Sequence, residues 1–159
     1  MNYEVEGSKC YDNLDSNCDT YGRLYDWATA MNNSASSNAV PSKVQGVCPA
    51  GWHLPSDAEW DLLMDTVGGS STAGTKLKAT SGWNSNGNGS DEYGFSALPG
   101  GYSYSSGSFS GVGIYGRWWS ATEGSASYAY RRDMGYSSAG VGRYDTDESR
   151  LYSVRCVQD

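Results

Sequence analysis

Few side chains in this sequence have the chemistry of catalysis. The only histidine, His53, lies between Trp52 and Leu54 and has no Cys or Asp at metal-ligand spacing. It could therefore act only as an acid or a base. A single histidine just ahead of a helix is more often a partly buried residue that orders a loop, and we interpret His53 in that way.

The four cysteines, Cys10, Cys18, Cys48 and Cys156, contain no CxxC pair. With a single histidine in the chain, this spacing argues against a zinc site and favours disulfides. Four cysteines permit three connectivities. The short spacing of Cys10 and Cys18 favours a bridge between them, which leaves Cys48 and Cys156. Disulfides persist in oxidising compartments, so we expect an extracellular or cell-surface location.

Residues 86–92 alternate oxygen-bearing side chains with glycine. Calcium prefers such hard oxygen ligands, so this loop is a candidate calcium site. Asn-Gly-rich segments are more often turns with positive φ, and the loop has no glutamate at the EF-hand position. We therefore expect no cofactor, with calcium at this loop as the alternative.

Two interleaved sets of side chains alternate through residues 125–150. In an extended chain successive residues point to opposite faces, so one set would form a scaffold and the other an exposed surface. The scaffold set comprises Tyr130, Arg132, Met134, Tyr136, Ala139, Val141 and Arg143. The exposed set, with the polar residues next to it, comprises Ser127, Tyr128, Arg131, Asp133, Gly135, Ser137, Ser138, Gly140, Gly142, Tyr144, Asp145, Thr146, Asp147 and Arg150.

The exposed set has the Tyr, Ser and Gly composition of adaptable binding surfaces. We interpret its members as ligand-binding residues, with an ordinary solvated sheet edge as the alternative. The ligand would be a protein or a polysaccharide, since tyrosine serves both kinds of contact. Trp118 and Trp119 are expected to support this region, with at least one of them in the core.

Composition argues against other partners. The 159 residues carry 11 basic and 18 acidic side chains, a net charge of −7, and form no basic stripe, so we expect no nucleic-acid binding. No apolar run approaches the roughly 20 residues that cross a bilayer. No charged and then apolar leader follows Met1, so any export signal is expected outside this chain.

The hydrophobic pattern predicts two helices followed by short strands, within one domain over residues 1–159, with a short helical turn around residues 75–79 as a further candidate. An apolar stripe at helical spacing predicts a helix over residues 21–32. A capping box from Ser56 to Glu59 begins the second helix. Trp60 and Met64 of that helix are expected to pack against Trp27 and Met31.

Period-2 segments separated by Gly and Ser predict strands over residues 93–98, 101–104, 117–122, 128–136 and 151–157. This order indicates an α+β fold with a mainly antiparallel sheet and long Gly/Ser-rich loops.

Five segments, in this order, resemble the Fibrobacter succinogenes major paralogous domain: Tyr-Gly-Arg-Leu-Tyr from Tyr21, Cys-Pro-Ala-Gly-Trp-His-Leu-Pro-Ser from Cys48, Gly-Phe-Ser-Ala-Leu-Pro-Gly-Gly from Gly94, Trp-Trp-Ser-Ala-Thr-Glu from Trp118, and Tyr-Ser-Val-Arg-Cys-Val from Tyr152. That family resembles the formylglycine-generating-enzyme branch of the C-type-lectin-like fold. The resemblance implies this fold and a bridge from Cys48 to Cys156. It also implies a further Trp-containing strand ahead of Met1, which we expect to be missing or supplied differently.

Members of the family commonly have Asn where the exposed set stands, and the residues found here are reached from an Asn codon by changing its adenines. This pattern resembles the variable proteins of diversity-generating retroelements. The resemblance implies a non-enzymatic binding or adhesion module with a variable face. The alternatives are a structural surface-coat domain, or an enzyme of the formylglycine-generating group that uses a free Cys156.

Overall fold

The computed structural model describes all 159 residues as a mixed α/β fold. Its helices are α1 (Asp15–Tyr21), α2 (Trp27–Met31), α3 (Asp57–Thr66) and α4 (Ser70–Leu77). Its strands are β1 (Trp52–His53), β2 (Gly100–Ser103), β3 (Phe109–Val112), β4 (Tyr115–Ser125), β5 (Tyr128–Gly135), β6 (Val141–Asp147) and β7 (Val157–Gln158). No helix is both long and apolar enough to cross a membrane.

The main sheet has five strands in the order β3-β2-β4-β5-β6. Its neighbours are antiparallel except β2 and β4, which run parallel and meet at Gly101 and Gly116. Strands β4, β5 and β6 follow one another through short turns, and β4 carries register shifts that curl the sheet. Strand β1 pairs with β7 as a separate two-stranded sheet. The prediction of a mixed fold with a mainly antiparallel sheet is confirmed.

Hydrophobic side chains pack against both faces of the main sheet. Helices α3 and α4 cover one face, where Trp60 and Met64 pack with Trp118 of β4. Trp119 lies on the other face, in a cluster with Trp27, Met31 and Tyr152. Both tryptophans of β4 are therefore buried, as expected. The expected packing of Trp60 against Trp27 is wrong, because the sheet separates the two clusters.

The first predicted helix is wrong at its start. Helix α1 ends at Tyr21, and Gly22 follows with φ 81°, a conformation that favours glycine. The chain is then extended, and Leu24 exchanges two backbone hydrogen bonds with Lys9. Asp26 caps α2 by accepting from the Thr29 amide at 2.7 Å. The apolar stripe that predicted this helix included Leu24, which is buried but extended. Only the residues of the stripe from Trp27 onward are helical.

The predicted number of helices, two, is also too low, because the structure has four. Helix α1 has a polar sequence without an apolar stripe and is held by the Cys10–Cys18 disulfide. Helix α4 is built of small and polar residues and buries only Ala73, Gly74 and Leu77. Neither helix carries the 3.6-residue hydrophobic period that identified the other helices.

The strand predictions are accurate in the centre of the sheet and weaker elsewhere. Strands β2, β4 and β5 coincide with three of the predicted segments within a few residues, as expected of element ends. Residues 93–98 form no strand, and only Ala97 makes a bridge, to Lys78. Residues 151–153 make isolated bridges to β2, to β4 and to Tyr25 in the segment between α1 and α2 before β7 begins.

The structure contains both predicted disulfides. Cys10 is bonded to Cys18, and Cys48 is bonded to Cys156, so no cysteine is free. The capping box of α3 is also confirmed. Ser56 Oγ accepts from the Glu59 amide at 3.1 Å, and the Glu59 carboxylate accepts from the Ser56 amide at 2.9 Å.

Candidate functional site

One face of the main sheet gathers tyrosine and arginine side chains from four strands and the loop after β6. Cross-strand register places Arg117 of β4 opposite Asp133 of β5, and Arg131 opposite Tyr144 of β6. Residues opposite each other in register share a face, so these side chains meet. We call this surface the tyrosine–arginine face, and its members are Tyr102, Tyr104, Tyr115, Arg117, Arg131, Asp133, Tyr144, Arg150 and Tyr152.

Each arginine of this face stacks on tyrosine rings. The guanidinium carbon of Arg117 lies 4.0 Å from the ring centroid of Tyr102 and 4.6 Å from that of Tyr115. The guanidinium carbon of Arg131 lies 5.0 Å from the Tyr144 centroid. Cation–π contacts of this kind contribute about 0.5–2 kcal/mol each, depending on exposure. The stacking holds each guanidinium in one orientation.

Similar contacts extend the face at its margin. The Arg131 guanidinium also lies 5.2 Å from the Tyr152 centroid, and that of Arg150 lies 4.9 Å from the Tyr104 centroid. The hydroxyl groups of Tyr102 and Tyr104 are hydrogen-bonded at 3.0 Å. Burial acts to raise the pKa of Tyr102, but hydrogen bonds with Tyr104 and Ser110 and the charge of Arg117 lower it overall.

Asp133 joins two of these arginines. Its Oδ2 accepts from Arg117 Nε at 3.0 Å and from Arg131 Nη1 at 2.5 Å. The side chains of Arg117 and Asp133 are each 12% exposed, and Arg131 Nε is buried without a hydrogen-bond partner. Tyr144, in contrast, is 53% exposed. The face therefore has a fixed ionic base beneath an outer layer of accessible aromatic rings.

The predicted site residues divide into several groups in the structure. Arg131, Asp133, Gly135, Gly142 and Tyr144 share the tyrosine–arginine face, because they alternate as predicted on β5 and β6. The prediction that this set is exposed is confirmed for Tyr144 and wrong for Arg131, which is buried in its ion pair with Asp133. A Cβ at Gly142 would lie 2.4 Å from the Tyr144 ring, so glycine here makes room for that ring.

Two further residues adjoin this group. Thr146 Oγ1 lies 3.4 Å from the Tyr152 hydroxyl, and Arg150 stacks on Tyr104 from the loop after β6. Neither residue is hydrogen-bonded to Asp133, so we assign both to the margin of the face.

The remaining predicted site residues lie elsewhere. Ser137, Ser138 and Gly140 form the turn between β5 and β6, where Lys78 Nζ donates to the Ser138 carbonyl at 2.9 Å. Ser127, Tyr128 and Asp147 lie at the opposite end of the sheet. Asp145 pairs with Tyr130 and belongs to the other sheet face. The structure therefore does not bring the predicted residues into one surface.

Arg132 and Met134 of the scaffold set are buried where α3 covers the sheet, whereas Ala139 and Arg143 are exposed. Arg132 Nη2 donates to Asp57 Oδ1 at 2.6 Å and to Asp61 Oδ1 at 2.8 Å, and Arg143 Nε donates to Asp57 Oδ2 at 2.7 Å. Met134 is fully buried beside these charges. These contacts attach one face of β5 and β6 to α3. The opposite face of the two strands carries the tyrosine–arginine face.

Sequence reasoning missed five members of the face: Tyr102, Tyr104, Tyr115, Arg117 and Tyr152. Arg117 precedes the buried Trp119 by two residues and therefore shares its face of β4, a signal that sequence reasoning could have used. The tyrosines carried no such signal, because their strands become neighbours only through the order of the sheet.

His53 is more buried than expected, with both ring nitrogens hydrogen-bonded to carboxylates. Its Nε2 lies 2.8 Å from Glu59 Oε1, and its Nδ1 lies 2.7 Å from Asp159 Oδ1. Burial acts to lower the pKa of His53, but the hydrogen bonds to Glu59 and Asp159 raise it above its ordinary value. The side chain ties β1 to α3 and to the end of the chain.

The side chains of the candidate calcium loop are directed to protein groups. Asn88 Oδ1 accepts from the Trp83 amide at 3.0 Å, and Asp91 accepts from the amide and hydroxyl of Ser96. Asn86 and Asp91 adopt positive φ, as expected of a turn. No group of three or more His, Cys, Asp or Glu side chains could hold a metal ion. The Asn88 and Asp91 side-chain oxygens are therefore engaged by neighbouring protein groups.

Comparison with known protein families gives a match along nearly the whole chain. The sequence matches the Fibrobacter succinogenes major domain over residues 1–158. The chain therefore belongs to the Fibrobacter succinogenes major domain family, as its motifs predicted. No curated protein and no solved structure matches the chain.

Proposed function

We propose that this chain is a binding module of the extracellular space or cell surface that holds a protein or polysaccharide ligand on its tyrosine–arginine face. The observation that carries the proposal is the stacking of three arginines and five tyrosines on one sheet face of an acidic chain. Tyrosine and arginine are enriched among the residues that dominate binding energy at interfaces.

The rigidity of the face supports the proposal. Two guanidinium groups are fixed by Asp133 and by stacking on tyrosine rings. Side chains that are already ordered lose little entropy on binding, so more of the contact energy contributes to affinity. The exposed outer tyrosines, Tyr104, Tyr115 and Tyr144, offer the accessible contact area.

The proposal includes a C-type-lectin-like fold, an extracellular location and a function without catalysis. The family and the two disulfides support the location. Two features support a role without catalysis, since Cys156 is bonded to Cys48 and both nitrogens of His53 are engaged by carboxylates. We also propose that the protein functions without a cofactor.

Ligand binding is tested with a double variant of the outer layer, Tyr144→Ser with Arg150→Gln. Both residues lie outside the ionic base, and each substitution removes one exposed cation–π contact, so we expect a stability loss of about 0.5–1 kcal/mol per substitution. The matched control is Tyr93→Ser, which removes a tyrosine that is 48% exposed in the loop before β2.

Binding is screened on arrays of polysaccharides and extracellular proteins, and the affinity for each ligand found is then measured by calorimetry. Loss of one anchor of about 2 kcal/mol weakens Kd about 30-fold. We expect at least this loss in the double variant and wild-type affinity in the control. Equal affinity of all three proteins would place the ligand on another surface.

The proposal of a retroelement-diversified face has a separate test in related sequences of the same genome. Diversification predicts variation confined to the exposed set, Arg131, Asp133 and Tyr144 among them, while Arg132 and Met134 stay unchanged. Variation spread evenly over both sets would contradict it.

A further inference from the structure

A groove remote from the tyrosine–arginine face runs between α3 and β7. It has a volume of about 490 Å³. Four large apolar side chains on its rim are exposed: Val40 by 54%, Trp52 by 39%, Leu62 by 52% and Val157 by 39%. Single exposed apolar residues are ordinary, but several gathered around one concave surface mark a binding site.

Arg155 lines this groove. Its guanidinium carbon lies 4.2 Å from the Phe95 ring centroid, and its Nη2 donates to the Phe95 carbonyl. It forms no ion pair with a carboxylate, whereas Arg23, Arg117, Arg131 and Arg132 each form at least one. Burial lowers the pKa of Arg155, and the charge of Asp91 opposes this only in part. A partly buried cation in this position would be stabilised by an anion that enters the groove.

The one acidic side chain of the groove does not supply this anion. Glu59 Oε1 is bound to His53, and its Oε2 accepts from the amides of Ser42 at 3.0 Å and Ser56 at 2.9 Å. The Glu59 charge is thus compensated by His53 and by backbone amides, and Arg155 remains available.

We propose that this groove binds a small apolar molecule that carries a carboxylate. The apolar body lies between Trp52 and Leu62, and the carboxylate pairs with the guanidinium of Arg155. The volume is that of small-molecule sites, which are mostly apolar with a few polar groups that fix orientation. Arginine suits this role because its planar guanidinium binds both oxygens of a carboxylate.

The site can be tested with octanoate, and 1-octanol serves as its uncharged counterpart. Calorimetry measures affinity, and the indole N–H signals of Trp52 and Trp60 in NMR spectra report occupancy of the groove. We expect octanoate to shift these two signals in a saturable way and to bind about tenfold or more tightly than 1-octanol. No saturable binding of octanoate, or equal binding of both probes, would overturn the proposal.

Two variants locate the ligand. Arg155→Gln removes the cation, and Leu62→Asp places a carboxylate on the exposed rim without touching the core. Each is expected to weaken octanoate binding about tenfold or more. If Arg155→Gln fails to fold, Leu62→Asp decides, and unchanged affinity in that variant would overturn the proposal.

Tyr144→Ser is the control, because its change lies on the tyrosine–arginine face. Its octanoate affinity should stay at the wild-type value, so this result is independent of the proposed ligand of that face. A peptide with a C-terminal carboxylate that binds the groove while octanoate does not would overturn the assignment to a small molecule.

Discussion

Arg132 carries a positive charge into the interface between β5 and α3, where its side chain is 3% exposed. It is paired with Asp57, which is 4% exposed, and with the more accessible Asp61. Charges buried to this extent are tolerated only when they are paired and hydrogen-bonded. The ion pair between Arg132 and Asp57 therefore fixes the position of β5 relative to α3.

Replacing Arg132 with Met tests this role. Breaking a buried ion pair from one side costs about 3–5 kcal/mol, and the remaining Arg143–Asp57 contact places the expected loss near 3 kcal/mol. The free energy of unfolding is measured by urea titration. Arg143→Met is the control, and we expect it to cost about 1 kcal/mol or less, since Arg143 is 45% exposed. Similar losses of unfolding free energy in both variants would show that the energy of each arginine's ion pair does not depend on how deeply the arginine is buried.

The pairing of β1 with β7 depends on few backbone contacts, because each strand has two residues. His53 adds hydrogen bonds that join β1 to α3 through Glu59 and to the end of β7 through Asp159. Its raised pKa means that the folded protein binds this proton more tightly than the unfolded chain does. Protonated His53 therefore stabilises the fold.

The sign of the pH dependence follows from this shift. The stabilisation is fully present below the unfolded pKa of about 6.5 and is lost as the pH rises through the raised folded value. Urea midpoints at pH 5.5 and pH 8.5 should differ more in the wild-type protein than in His53→Asn. Since His53 is the only histidine, the difference between the two proteins isolates its contribution. An identical pH dependence in both proteins would contradict this prediction.

At the scale of the whole molecule, two disulfides constrain loops of very different length. Cys10–Cys18 spans a sequence separation of 8 residues, and Cys48–Cys156 spans 108. The longer bridge connects the segment ahead of β1 to the last strand, so it closes nearly the whole sheet into one covalent loop. In the chain-entropy model, stabilisation grows with the logarithm of loop length.

Removing the bridges one at a time tests this model. The loop lengths predict a loss of about 5 kcal/mol for Cys48→Ala with Cys156→Ala, and about 2.5 kcal/mol for Cys10→Ala with Cys18→Ala. Chemical denaturation of both double variants gives the two values. A larger loss on removing the short bridge would mean that local packing around α1, rather than loop entropy, dominates.

Several features were determined by the sequence alone because their causes lie within a few residues. The Ser56–Glu59 capping box fixed the start of α3, and alternation along β5 placed Arg131 and Asp133 on one face and Arg132 and Met134 on the other. The motifs also indicated the family, which the match over residues 1–158 confirmed.

Only the tertiary structure decided which residues meet across the sheet. Leu24 continued a helical stripe in the sequence, yet pairing with Lys9 made it extended. Tyr102 and Tyr144 lie on different strands, and they share a face because β4 and β5 lie between β2 and β6. Strand order and register depend on contacts between distant segments, and local spacing carries no information about those contacts.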